Sequence, residues 1–264
     1  MAEHCRQTIS IAAINMKKKR GIRVWAVVFW LVVWQIVSML IHQEILLVSP
    51  VQVLFRLGEL AAAGEFWLSI VSSMLRIIAG FLIAGAAGIV LAALSARFRR
   101  IQELLAPVML AIKTIPVASF IIFVLIWFSS QNLAVLISFL MVLPVIYTNV
   151  LDGIRATDPQ LLEMAQVFQI PTARKIRYLY VPQVMPFFQS GCSVALGLCW
   201  KSGIAAEVIG MPQGSIGEKL QQAKVYLDTP DLFAWTLVII LISLLFEKAF
   251  LSFLRLLIRK MERM

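Results

Sequence analysis

Charge is scarce in this 264-residue chain: Asp, Glu, Lys and Arg make up 14% of it while 61% is hydrophobic. A typical soluble domain holds about 25% charged residues, so an ordinary water-facing globule is excluded and an integral membrane protein is expected. Histidine is scarcer still. His4 and His42 fall at the edges of the apolar region and join no His/Cys/Asp cluster at metal-ligand spacing, which argues against a membrane-embedded metal enzyme. The three cysteines, Cys5, Cys192 and Cys199, build no disulfide or zinc framework and are expected to be reduced and structural. There is no GxxxxGK[ST] loop, hence no phosphate-loop nucleotide site within the chain. Nor does a small-x-small cleavage site follow the first apolar run, which reads as a retained span rather than a signal peptide.

What is present is basic and apolar. Lys and Arg number 24 against 14 Asp and Glu, a formal net charge of +10. Nucleic acid is excluded as the reason, because the clusters flank apolar runs: Arg6, Lys17, Lys18, Lys19, Arg20 and Arg23 precede the first, and Arg255, Arg259, Lys260 and Arg263 follow the last. Six runs reach the length a bilayer requires: 24–41, 70–94, 104–128, 133–150, 184–209 and 232–254. With six spans, Arg97, Arg99, Arg100, Arg155, Arg174, Lys175 and Arg177 share the side of both termini, leaving Arg56, Lys219 and Lys224 opposite. The positive-inside rule then makes both termini cytoplasmic. The expected organisation is a basic segment 1–23, a first span 24–41, an outer loop 42–69 with an interfacial helix, a core 70–254 containing a cytoplasmic loop 152–182, and a basic tail 255–264.

Small residues predict the packing. Gly80, Ala84, Gly88 and Ala92 recur every four positions and line one helix face for close backbone approach; Gly191, Ala195 and Cys199 form a shorter ladder, and Ser193 with Gly197 another. The run 184–209 is therefore expected to be a central helix. Outside the spans, Ser49-Pro50 opens a helix whose apolar stripe is expected at Val51, Leu54, Leu57 and Leu60.

The loop after the fourth run is the least lipid-like part of the chain. Asp158-Pro159 caps and opens a helix carrying Leu161, Leu162, Ala165 and Phe168 on one face; Pro171 breaks it, and Thr172 is expected to cap a second short helix before Pro182 begins the next span. Two capped helices with an apolar face suit docking against a protein. The stretch resembles the EAA motif of ATP-binding-cassette import permeases, EAA, three residues, Gly, nine residues, Ile-x-Leu-Pro. Here Glu163-Met164-Ala165, Gln169 and Leu179-Tyr180-Val181-Pro182 keep every spacing and depart in identity at Met164, Gln169, Leu179 and Val181. Gln169 in place of glycine implies either a strained left-handed residue or a different turn set by Pro171.

Ser49-Pro50, Ser73-Met74-Leu75-Arg76 with Gly80-Phe81, Lys113-Thr114-Ile115-Pro116, Asp158-Pro159, and Ala205-Ala206-Glu207 with Gly210 extend the resemblance over about residues 45–255, toward the nitrate/sulfonate/taurine branch. It implies an all-α type I importer permease of six transmembrane helices that pairs as a dimer in the plasma (inner) membrane of a prokaryote. Cytoplasmic ATPase subunits would bind the ATP, so the chain needs no cofactor, and an extracytoplasmic binding protein would deliver a small anion. The docking surface would then include Glu163, Met164, Ala165, Phe168, Gln169, Ile170, Pro171 and Pro182. A gradient-driven secondary transporter is the alternative, weakened by the lack of a convincing internal repeat.

Ionisable residues in the spans must face protein or water, since each costs about 2.5–3.5 kcal/mol at the bilayer centre. Lys113, beside the Pro116 break, is expected either along the translocation pathway or at a purely structural kink, and Lys201, beside Ser202, along the pathway. Lys201 is the candidate to attract an anion. Glu207 is expected either at an outer gate or as a hydrogen-bonded structural carboxylate. Arg76, Glu247 and Lys248 fall under the same rule without a specific role.

Overall fold

The computed structural model describes residues 24–41 and 46–262, so the N-terminal basic cluster, Cys5, His4, His42 and Arg263 lie outside the described residues. In chain order the helices are α1 (Val24–Ile41), α2 (Pro50–Ala61), α3 (Gly64–Arg97), α4 (Arg99–Thr114), α5 (Val117–Leu125), α6 (Ser130–Arg155), α7 (Pro159–Val167), α8 (Thr172–Lys175), α9 (Val181–Gly210), α10 (Ile216–Val225) and α11 (Thr229–Glu262). Among the described residues, five helical stretches have the length and apolarity to cross a membrane, and the bent pair α4–α5 makes a sixth if counted as one span.

Lipid tails are as apolar as leucine, so these helices associate through close packing and polar contacts rather than by escaping water. The glycine ladder supplies the close packing. Helix α6 lies between α3 and α9. A methyl group added at Gly80 would stand 2.5 Å from the Val135 carbonyl oxygen and 2.7 Å from Ser138 Cβ, and one at Gly88 would stand 3.0 Å from Ile146. Ala84 between them and Ala92 one step beyond are fully buried, and Ala195 and Cys199 are buried on α9. The Ser193–Gly197 ladder differs, because Gly197 meets nothing within 4 Å and faces an opening. Phe81, Ile146, Leu196, Trp200 and Trp235 fill a core shared by α3, α6, α9 and α11.

Three local readings change. In α2 the capping box at Ser49 and Gln52 is present. The buried side is Val53, with Leu57 and Leu60 packed alongside, whereas Val51 and Leu54 are exposed. The inward stripe is thus rotated from the expected one, because Val53 and Ala234 share a core and Arg56 bonds to Asp231 at the start of α11.

The run 104–128 is not a single kinked rod: α4 and α5 meet at 103°. Proline drives its preceding residue out of helical geometry, and Ile115 takes the extended conformation with ψ 130°. Pro116 then becomes the N-cap of a new helix.

The cap position falls on Pro171, with Thr172 already the first helical residue, and the second loop helix is not separate from the next span: residues Thr172–Gly210 form one continuous helix of 39 residues. Ahead of Pro182 the helix widens into a π turn, Ile176–Tyr180, where the Val181 N–H donates to the Ile176 carbonyl. Pro182 has no N–H and its ring crowds the preceding turn; the wider turn absorbs both demands without breaking the helix.

Candidate functional site

The connection between α6 and α9 is fixed at both ends. Asp158 Oδ1 accepts from the Gln160 N–H at 2.9 Å, and the Asp158 N–H donates to Gln183 Oε1 at 3.0 Å, which ties α7 to the root of α9. Arg155 also donates to Gln102 on α4. At the far end of α7 the Ile170 N–H reaches the Ala165 carbonyl and the Gln169 N–H reaches that of Gln166, both at 3.0 Å. Those two bonds define a Schellman stop, and Gln169 occupies its left-handed position with φ 51°. The glutamine thus takes the strained left-handed conformation and keeps the turn.

That stop decides which side of α7 is free. Ala165 is fully buried against its own chain and Leu161 and Leu162 are half-buried, so three members of the expected apolar face pack inward and the fourth, Phe168, does not. Glu163, Met164, Gln169 and Pro171 are exposed and Ile170 is half-buried. Val167 and Phe168 are 78% and 73% exposed, the most open apolar pair on the loop. Pro182 is exposed at the start of α9. The sequence reading missed Val167, which stands one residue outside the expected stripe.

Lys113 lies in the last turn of α4, exposed together with Thr114, Ile115 and Pro116. The Thr114 hydroxyl donates back to the Leu110 and Ala111 carbonyls at 3.1 Å, closing the end of α4. Met109 is the one residue of α4 buried by this chain.

Glu207 is a fully buried carboxylate. It accepts from Ser73 Oγ at 2.6 Å and from the Gly217 N–H at 3.3 Å, and pairs with Arg76 at 3.4 Å. Arg76 continues to Gln131 Oε1 at 2.7 Å and the Gln213 carbonyl at 3.5 Å, while the Ile216 N–H donates to Ser73 Oγ at 2.9 Å. The cluster staples the turn after α9 onto α3 and α6. A methyl group at Gly217 would collide with Glu207 itself. Arg76 is therefore the partner that the intramembrane-charge rule demanded; 131 residues separate the two, so no local pattern in the sequence shows the pairing.

Lys201 and Ser202 part company. The Ser202 hydroxyl donates to the Leu198 and Cys199 carbonyls of its own helix and is buried. Lys201 instead lines a cavity of about 410 Å³ between α9 and α11, with Gly197, Trp200, Ile204, Ile239, Ser243 and Glu247 also in its wall.

Comparison with known proteins agrees with this architecture. Residues 84–263 match the family described as binding-protein-dependent transport system inner membrane component, and the chain belongs to that family. It is 27% identical to the putative aliphatic sulfonates transport permease protein SsuC of Bacillus subtilis, over 87% of this chain and 82% of that protein. It is also 27% identical to the formylaminopyrimidine transport permease protein ThiX of Halalkalibacterium halodurans, over 81% of this chain and 86% of that protein. Among solved structures, the crystal structure of an amino acid ABC transporter with histidines matches with a TM-score of 0.53 at 18% identity, covering 73% of this chain and 94% of that one, which supports the fold. The protein is a multi-pass permease of the ATP-binding-cassette importer type, in the branch that holds sulfonate permeases.

Proposed function

We propose that this chain forms the translocation pathway of an ATP-driven importer for a small anionic solute of the sulfonate, taurine or nitrate kind. In this reading it pairs as a dimer, takes solute from an extracytoplasmic binding protein and docks a cytoplasmic ATPase on the loop 152–182. The observation that carries it is the tip of α7: Met164, Val167 and Phe168 are left exposed beside the turn that joins α7 to the helix Thr172–Gly210, which runs on into a membrane span. Exposed apolar residues on a rigid polar loop fit a protein groove, and the unbroken helix behind them transmits a push into the bundle. Glu163 and Gln169 flank the patch, whereas Ala165 acts as packing beneath it.

The basic end of the bundle, with Arg97, Arg99, Arg100, Arg155, Arg174 and Arg177, is assigned to the cytoplasm by the positive-inside rule. Lys113 and the open backbone at Pro116 are assigned to the pathway. Glu207 is assigned to holding the outer turn rather than to a moving gate, because all of its polar reach is used internally.

Copurification tests the docking assignment. Phe168→Glu should abolish retention of the cassette ATPase while the membrane protein remains folded and monodisperse. Retention unchanged by both Phe168→Glu and Val167→Glu would refute the docking surface.

A further inference from the structure

The link between α3 and α4 is a single residue, Phe98, with arginines on both sides of it: Arg97 ends α3, and Arg99 and Arg100 open α4. A topology signal needs only positive charge on a loose loop. Here the charges are held at a corner between two helices, where the Phe98 N–H donates to the Leu94 carbonyl at 2.8 Å. All three arginines are exposed, and the Arg97 guanidinium lies 5.4 Å from the centre of the Phe98 ring, itself 50% exposed. Glu103 pairs with Arg99 at 3.0 Å, and at the end of α6 Arg155, bonded to Gln102, balances Asp152 in charge. Among the described residues Arg97 and Arg100 have no carboxylate partner. Each helix also brings an exposed apolar stripe to this corner. On α3, Val90 and Leu94 are followed by Arg97; on α4, Arg100, Leu104 and Val108 recur every four residues. The outward apolar side chains of α3 run from Leu68 to Leu94, about 39 Å at 1.5 Å per residue, enough to cross a hydrocarbon core of about 30 Å. The arginines begin within one turn of its end, at headgroup level.

We infer that the α3–α4 corner binds an anionic phospholipid, its phosphate taken by Arg97 and Arg100 and its acyl chains laid along the stripes that run away from them. In the proposed orientation the lipid belongs to the cytoplasmic leaflet. A guanidinium offers a phosphate two parallel N–H donors. The apolar side chains beyond it supply chain contacts that a soluble phosphate cannot make, which assigns the site to a lipid. A zwitterionic lipid carries the same phosphate, but its ammonium is repelled by two uncompensated cations, so a lipid of net negative charge is preferred. The site follows from the membrane-spanning reading and from neither the solute nor the ATPase.

Native mass spectrometry of the detergent-solubilised full chain, titrated with phosphatidylglycerol or with phosphatidylcholine of the same acyl chains, tests it on the first lipid bound. One unit of charge at such a surface contributes about fivefold in affinity, so phosphatidylglycerol should bind at least about fivefold more tightly than phosphatidylcholine. The double variant Arg97→Gln with Arg100→Gln should bind phosphatidylglycerol about 25-fold more weakly and lose the preference. Arg97→Lys with Arg100→Lys keeps both charges and should retain it. Should the glutamine pair not fold, Leu104→Glu leaves both arginines in place, sets a carboxylate in the α4 stripe and should weaken phosphatidylglycerol at least about fivefold. Equal affinity of the wild type for the two lipids would overturn the site, as would a glutamine pair that keeps the preference. So would competition by glycerol phosphate at the free concentration of the lipid, which would make the ligand a soluble phosphate. Displacement of phosphatidylglycerol by the cassette ATPase would also overturn it and give the corner to that partner.

Discussion

Gln169 holds a left-handed backbone conformation that costs an L residue about 1–2 kcal/mol, at a helix stop where glycine adopts it freely. Gln169→Gly should therefore raise thermal stability in nanodiscs, by about 0.5–1 kcal/mol after allowing for the greater freedom of glycine in the unfolded chain, and should leave ATPase coupling intact. Gln169→Val should lower stability. The motif spacing made this position legible as anomalous, but two outcomes were open until the Ala165 and Gln166 carbonyls were seen to accept their bonds. Met211 and Leu227 hold the same left-handed geometry at φ 45° and 56°, and there no spacing rule drew attention to them.

The buried carboxylate gives a second test at this scale. Glu207→Ala leaves the largely buried Arg76 without its counter-charge, and should cost about 3–5 kcal/mol, the penalty of breaking a buried pair. Thermal unfolding of Glu207→Ala alone, and combined with Arg76→Met, checks it: the double variant should recover part of the loss. Ala165 shows why side-chain identity misleads without packing. It fell on an apolar stripe and looked available, yet it is fully buried, so Ala165→Asp reports on folding, whereas Glu163→Arg reports on the exposed surface.

Helix-scale features were legible wherever period and residue size alone decide them. The four-residue ladder on α3 is such a case, and it makes a sharp prediction through two glycines five residues apart. Gly80→Leu should prevent recovery of monodisperse protein, because the added side chain would meet the α6 backbone. Gly85→Leu should be tolerated, since no atom lies within 4 Å of its Cβ position. Size-exclusion profiles of the two variants distinguish them. The α4–α5 break was legible as a disturbance at Pro116 but not as a turn of 103°. A proline forbids one helical bond, while the angle that follows depends on which side of α6 and α9 receives Ile121 and Val124. The π turn before Pro182 was not legible, because it arises only when the chain continues as helix through a proline that sequence rules place at a boundary.

For the whole molecule, composition and span spacing revealed the architecture, while the chemistry between distant helices, Arg76 with Glu207 and Ser193 with Glu247, needed the fold. The proposed orientation rests on charge asymmetry and is open to direct test in a cysteine-free background. Tyr226→Cys, at a position 80% exposed, should react with an impermeant maleimide in right-side-out vesicles, and Gln169→Cys only after permeabilisation.

The central claim is that ATP hydrolysis on a partner drives solute through this chain by way of the α7 tip. Its most direct measurement is solute uptake into proteoliposomes holding the chain with its cassette ATPase and binding protein. Uptake should require ATP and vanish in Phe168→Glu with ion gradients absent; uptake that proceeds without ATP under an ion gradient, unaffected by Phe168→Glu, would contradict it.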